Sequence, residues 1–328
     1  MIKTLIAVVT ASLLGAVVLG FAVIPLLKKL KMRQTILKYV TEHSGKAGTP
    51  TMGGIIFILP AVVVFFLSAG TEKLLASICA AVGCGFMVVG FLDDFIKVVL
   101  KRNLGLKAYQ KILFQSAISI IVAVFCYRNG MTKIYIPFTG KLVDTGIWFI
   151  PLCVFVFLAA VNSVNLTDGL DGLAGGVTYV YLSVIAVLIL LQTIKYPSNY
   201  VYTKEYLNLS VLSAALSGGI MGYLLFNTFK ASVFMGDTGS LALGGFVASI
   251  SIFSGNMFFI PILGIMYVLS SISVILQVAS FRLTGKRVFL MAPLHHHFQH
   301  KGFAESKIVF AYKLVTFVVG LVILLFYF

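Results

Sequence analysis

Residues 149–191 read FIPLCVFVFLAAVNSVNLTDGLDGLAGGVTYVYLSVIAVLILL. They form two long apolar runs joined by a short segment with the only charged residues of the stretch, Asp168 and Asp171. Runs of this length decide the fold class, because a helix of about 17 to 25 predominantly apolar residues crosses a bilayer core. Over the whole chain 60% of residues are hydrophobic and 11% charged, and the mean hydropathy is +1.05. A soluble domain carries about 25% charged residues. Water would not tolerate the surface this composition implies, whereas lipid would. The chain is therefore read as an all-α, polytopic integral membrane protein whose residues 1–328 form one transmembrane domain.

Ten candidate spans follow: 2–24, 52–69, 74–92, 112–127, 146–163, 173–194, 207–226, 240–255, 258–280 and 307–327. The fourth and eighth are short, and only Gly255, Asn256 and Met257 separate the eighth from the ninth. The first run holds a single Lys3 and is longer than the usual 7 to 15 residues of a signal-peptide core, so a retained helix is expected. Cys79, Cys84, Cys126 and Cys153 form no CxxC pair and mostly lie inside apolar runs, as buried free thiols do.

The net charge of +15 is unevenly spread. Taking connections alternately, the set after the first span carries 17 Lys and Arg and the opposite set 7, with Lys313 inside the last span. Cytoplasmic loops hold the excess of basic residues, which puts both termini outside. Beside a membrane, such charge suits anionic lipid or a phosphorylated substrate. Nothing favours nucleic acid.

Of 10 acidic residues, Glu42, Glu72, Asp144, Glu205 and Glu305 fall in expected loops. The other five are Asp93 and Asp94 in GFLDDFIK, Asp168 and Asp171 in NLTDGLDG, and Asp237 in FMGDTGS, all at expected cytoplasmic ends of spans. Ionisable groups at membrane depth are costly and mark functional sites by default. One such Asp could simply cap a helix; five converging on one side call for another account. If residues 162–171 are helical, Asn162, Asn165, Asp168 and Asp171 share one slowly drifting face. Carboxylate oxygens suit Mg²⁺, which keeps waters and meets substrate phosphates. The expectation is a metal and phosphate site at the cytoplasmic membrane face. His295, His296, His297 and His300 lie in the last cytoplasmic connection. Consecutive histidines cannot all turn to one zinc ion without strain, so contact with a diphosphate is preferred.

Five strings now stand in order: SGKAGTPTMGG, GFLDDFIKV, NLTDGLDGLAGG, FNTFKASVFMGDTGSLALGG and APLHHHFQHKGFAESKIV. Together they resemble the phospho-N-acetylmuramoyl-pentapeptide transferase family, of the polyprenyl-phosphate N-acetylhexosamine-1-phosphate transferase superfamily. PLHHHF favours the muramoyl-pentapeptide branch. Gln299 stands where that family usually has Glu and Phe303 where Trp is usual, and the segment after Lys307 lacks the usual aromatic run.

The resemblance implies Mg²⁺-dependent transfer of phospho-MurNAc-pentapeptide from UDP-MurNAc-pentapeptide to undecaprenyl phosphate, giving lipid I and UMP at the bacterial inner membrane. It implies Asp237 as the Mg²⁺ ligand, and Asp93, with Asp94, as the group that deprotonates or orients the lipid phosphate. Asn162, Asn165, Asp168 and Asp171 would frame the nucleotide-sugar site. Thr51 and Asn227, in the quoted strings, join them as substrate-binding candidates. His296 is expected in catalysis, and His295 and His297 against the diphosphate or sugar. Lys46, Lys97, Lys107 and Lys111 would offer positive charge to phosphates. Membrane lipid is an expected partner, and a second copy of the chain a candidate one. Direct attack and a covalent phospho-aspartyl route both remain open at this level. A sibling transferase for another UDP-sugar is the nearer rival. A transporter is the distant one, since its acids would sit near the bilayer midplane, often in repeated halves.

Overall fold

The computed structural model describes residues 1–30, 32, 48–100, 105–195 and 203–327. Its helices are α1 (Ile2–Lys29), α2 (Gly54–Ser68), α3 (Leu74–Val99), α4 (Ala108–Arg128), α5 (Phe149–Thr167), α6 (Leu173–Lys195), α7 (Thr203–Asn227), α8 (Gly236–Phe253), α9 (Phe259–Leu263), α10 (Ile265–Thr284), α11 (Leu294–His300) and α12 (Glu305–Tyr327). Among the described residues nine helices are long and apolar enough to cross a membrane, and the shorter α2 is a tenth apolar helix. Lipid offers no partner to backbone N–H and C=O groups, so a chain of this composition satisfies them within helices. The all-α, multi-pass class is what forms.

Three differences from the sequence expectation are physical. The third span does not stop at its acids: α3 continues through Asp93, Asp94 and Lys97 to Val99, so these side chains ride on a continuous helix. The ninth is broken at Gly264 into α9 and α10. Between α4 and α5 a small antiparallel hairpin pairs β1 (Lys133–Tyr135) with β2 (Leu142–Asp144), Ile134 facing Val143. Its alternating KIYIPFTGKLVD pattern is too short to register against the neighbouring apolar runs.

The middle of the bundle is α8, with 89% of its span window inside the molecule, followed by α6 and α7 at 78%; α1 and α10 reach only 22%. α8 is also the least apolar span, with mean hydropathy 1.2. The order makes sense in lipid, where close packing of small residues and interhelical hydrogen bonds replace hydrophobic burial as the force between helices. Gln192 and Asn256, both fully buried, exchange amide hydrogen bonds of 3.0 and 2.9 Å. The four cysteines are free, three buried and Cys84 half-buried.

At the end of the bundle where α3 begins, Glu205 in the first turn of α7 accepts the Leu74 and Leu75 N–H groups at 3.0 and 2.9 Å. Lys204 meets Glu72 at 2.7 Å. Asp144 accepts the Thr132 hydroxyl and the Gly146 N–H at 2.6 and 2.9 Å. These acids hold local structure.

Candidate active site

The other end of α3 meets the beginning of α8. Contact is intimate because residue 90 is glycine: a Cβ there would run into the backbone carbonyl of Asp237. One turn further along α3, Asp94 is buried and its carboxylate caps α8. Oδ1 accepts the Asp237 N–H at 3.2 Å, and Oδ2 accepts the Thr238 N–H at 2.9 Å and the Thr238 hydroxyl at 2.7 Å. An acid at a helix N-terminus satisfies orphan donors and meets the positive end of the dipole. Capping by Asp94 therefore fixes where the Asp237 side chain emerges.

Asp237 is the hub. Its Oδ1 accepts the Asn165 amide at 2.8 Å, and the same amide nitrogen also donates to Ser240 Oγ at 2.8 Å. Its Oδ2 lies 3.0 Å from Lys97 Nζ and 2.6 Å from Lys111 Nζ. Asp93, fully buried, faces the same two ammonium groups: Oδ2 is 2.5 Å from Lys97 and Oδ1 3.1 Å from Lys111. Oδ1 also accepts the Leu106 N–H at 2.8 Å. Thus α3, α4, α5 and α8 each send a group to one point.

Oxygens of Asp93, Asp94 and Asp237 lie within 4.8 Å of one another, a grouping that could hold a metal ion. Asp168, the C-cap of α5, stands close enough to feel the charges of Asp237 and Asp94. Desolvation, and then the charges of Asp237, Asp94 and Asp171, push its carboxyl well above the usual carboxylate range. The carboxylates of Asp93, Asp94 and Asp237 face the two ammonium groups of Lys97 and Lys111, which leaves an excess of negative charge. A divalent, oxygen-seeking cation fits that donor set and that charge. Two lysines with mobile stems beside it fit phosphate oxygens.

Other sequence candidates sit around this hub. Asp171 Oδ2 accepts the Ala231 N–H at 3.1 Å, and its own N–H donates to Glu305 Oε1 at 2.7 Å. Asn227 accepts the Gly172 N–H at 3.0 Å and donates to the Val233 carbonyl at 2.9 Å. Asp171 and Asn227 thereby hold the 171–172 turn against the 227–233 segment. Thr51 is buried beside Gly236 in a segment where Phe234 and Pro50, and Gly53 and Phe234, share backbone bonds of 2.8 Å. Asn162 donates to Gln115 Oε1 at 2.8 Å and so ties α5 to α4.

The histidines lie on α11, whose turn spreads them apart. His295 is fully buried, with its ring over Gly169 and against Tyr312 at 6.4 Å between centroids. His296 Nδ1 meets Gln299 Oε1 at 2.7 Å. His297 accepts the Leu290 N–H through Nδ1 at 3.2 Å and packs on Phe289. Lys107 is exposed, its ammonium 5.9 Å from the Tyr109 ring centre, and among the described residues it makes no ion pair to the acid cluster. Lys46 lies outside the described residues.

Thr238, Ser240, Gln115 and Glu305 also support this end of the bundle, although none is singled out by the sequence. The first two stand inside the quoted GDTGS string, next to an acid already singled out. Gln115, a buried amide in an apolar run, was detectable by its cost in lipid. Glu305 carried no such signal.

Residues 74–255 match the model of glycosyl transferase family 4, and residues 46–58 match signature 1 of phospho-N-acetylmuramoyl-pentapeptide-transferase. A protein of that name from Caldanaerobacter subterraneus subsp. tengcongensis is 42% identical over 320 residues, 97% of each chain. One from Clostridioides difficile is 43% identical over 311 residues, 93% of this chain and 92% of its own. One from Clostridium perfringens is 41% identical over 317 residues, 96% of this chain. Identity at this level spans all the helices that bring the carboxylates and lysines together, and the chain belongs to the phospho-N-acetylmuramoyl-pentapeptide-transferase family.

Proposed function

We propose that this chain transfers phospho-N-acetylmuramoyl-pentapeptide from UDP-MurNAc-pentapeptide to undecaprenyl phosphate, forming lipid I and UMP. The observation that carries the reading is the meeting of Asp93, Asp94 and Asp237 with Lys97 and Lys111 at one end of a membrane bundle. A soluble nucleotide and a lipid must react where water meets bilayer, and the acids lie at that edge of the apolar spans.

The reaction exchanges one phosphoanhydride for another. An oxygen of the lipid phosphate bonds to the β-phosphorus of the nucleotide-sugar while the bond to the bridging oxygen breaks, and UMP leaves with that electron pair. Such transfers ask the protein mainly for positioning and charge stabilisation. Asp93 takes the remaining proton of the lipid phosphate. Lys97 and Lys111 give point charges to the phosphates, and Lys46 and Lys107 offer further positive charge to them. Asp94 positions Asp237 through α8. Asp237 would hold Mg²⁺, which when bound supplies Lewis-acid polarisation of phosphoryl oxygens. Asn162, Asn165, Asp168, Asp171, Thr51 and Asn227 shape the nucleotide-sugar side. His296 is assigned to catalysis, and His295 and His297 to contact with the diphosphate or sugar.

Purified protein incubated with undecaprenyl phosphate, Mg²⁺ and each UDP-N-acetylhexosamine in turn tests this directly. The expected lipid product carries phospho-MurNAc-pentapeptide; a product from another UDP-sugar alone would assign the chain to a sibling reaction.

The same reading puts the site on the cytoplasmic face of the bacterial inner membrane, with both termini outside, supported by the 17 to 7 division of basic residues between the two sets of connections. A single cysteine at position 296, on a background without the four native cysteines, should resist a membrane-impermeant reagent in intact cells. Labelling from outside would refute the orientation.

A further inference from the structure

α12 is the most apolar span, with mean hydropathy 2.6, and only 33% of its window is inside the molecule. Phe310, Leu314 and Phe317 are exposed, whereas Val309, Tyr312 and Thr316 are buried. Lys313 lies between these faces and is half-buried. Its stem crosses the first turn of α6, where a Cβ on Gly176 would come within 2.7 Å of its Cδ and 3.0 Å of its Cγ. A side chain at 176 would displace the lysine, so the seam between α6 and α12 makes room for it.

Helical side chains lean toward the N-terminus of their own helix. For Lys313 that is the Glu305 end, where Glu305 holds the Asp171 N–H. The ammonium is thus carried toward the same membrane boundary as the carboxylate site. Among the described residues Lys313 makes no ion pair or hydrogen bond. The acids of that corner are engaged, Glu305 by the Asp171 N–H and Asp171 by the Ala231 N–H. A charge placed in a lipid-facing span without a protein partner is costly and marks a functional position by default. Its stem can snorkel to headgroup level. The anions there are phosphates.

We infer that Lys313 is a binding site for the phosphate of an anionic membrane lipid, at the α6–α12 seam and on the leaflet of the carboxylate site. The ligand chemistry is shared by an anionic phospholipid and by a polyprenyl phosphate. The second source would rest on the proposed transferase reading, and the first is independent of it.

Native mass spectrometry of the purified full chain tests this with three probes: phosphatidylglycerol, phosphatidylcholine and a polyprenyl phosphate. One basic residue near a membrane surface is worth about a fivefold change in binding of anionic lipid. Lys313→Met should lose roughly that factor, and Lys313→Arg should keep it. Loss limited to phosphatidylglycerol supports a bilayer lipid as the occupant; loss limited to polyprenyl phosphate supports the substrate lipid. Unchanged binding of all three, or equal loss for phosphatidylcholine, overturns the inference. A melting temperature of Lys313→Met at or above wild type shows that binding, not folding, is being compared, and Lys313→Gln serves as the second neutral variant.

Discussion

Glu205 and Asp94 lie at opposite ends of α3 and do the same local work. Each is a carboxylate on one helix that accepts the first N–H groups of another, Leu74 and Leu75 for Glu205, Asp237 and Thr238 for Asp94. The dipole and capping physics is identical. The surroundings are not. Beside Glu205, Lys204 and Glu72 form an exposed pair. Around Asp94 stand Asp93, Asp237, Asp168, Lys97 and Lys111, with more negative than positive charge in a poorly hydrated place. A capping bond holds a helix. Unbalanced charge at membrane depth is what marks a site.

The largest effect should come from removing the balancing charge. In excess chelator activity should vanish, and full activity there would break the assignment of a divalent cation to this end. Asp237→Asn keeps its bond to Asn165 within reach but loses the charge shared by Lys97 and Lys111. It should shift the Mg²⁺ requirement more than any other single change. An unchanged metal titration would move the metal role elsewhere.

Next comes Asp93→Asn. A phosphate monoester has a second pKa of about 6, so the attacking lipid phosphate is partly protonated near neutrality. Losing a general base costs about 10² to 10⁴ in rate, and kcat should fall by that order with little change in nucleotide-sugar binding. Raising the pH should restore part of the loss if Asp93 serves only to take the proton. A pH–rate profile parallel to wild type would instead favour Asp93 as nucleophile or metal ligand.

The comparison itself is sharpened by paired substitutions. Asp94→Asn retains an acceptor for α8 but removes charge from the cluster, and kcat should drop about tenfold, the effect of one hydrogen bond to a charged group. Glu205→Gln should leave kcat unchanged. Lost caps cost about 0.5 to 2 kcal/mol, which lowers the melting temperature of a chain this size by a few degrees. Equal losses of activity in both variants would mean that the two ends are not distinct.

The sequence spoke clearly where lipid imposes a cost. Ten apolar runs were legible because each is a solvation requirement, and the five acids at their ends stood out because charges there are expensive. Partners were not legible. That Lys111 from α4 joins Lys97 from α3 on Asp237 depends on how α4 and α8 pack, which no local pattern encodes. The acid at 94 looked like a companion of Asp93, yet its bonds run to the backbone of α8. Asn162 lay on the expected face but spends its amide on Gln115. The histidines form one cluster in the sequence; on α11, His295, His296 and His297 point to three different neighbours. The hairpin was hidden by its length.

The smallest effect belongs to that hairpin. Thr132 Oγ1 and the Gly146 N–H bond to Asp144, and with Lys133 nearby they hold its carboxyl below the usual range, the Thr132 bond contributing most. The sign follows from linkage. A carboxyl whose folded pKa is lowered stabilises the fold above its unfolded value of about 3.9, and that stabilisation is lost as pH falls through the folded pKa. Asp144→Asn removes the charged acceptor, so its melting temperature in detergent should lie slightly below wild type at neutral pH. The group is exposed, so the gap should be about 1 °C. It should close as the pH drops below about 4, where wild-type Asp144 is itself being protonated. A gap that widens in acid would mean that Asp144 stabilises the fold in its neutral form. The hairpin end would then depend on a protonated acid, in contrast to the charge excess that marks the carboxylate site.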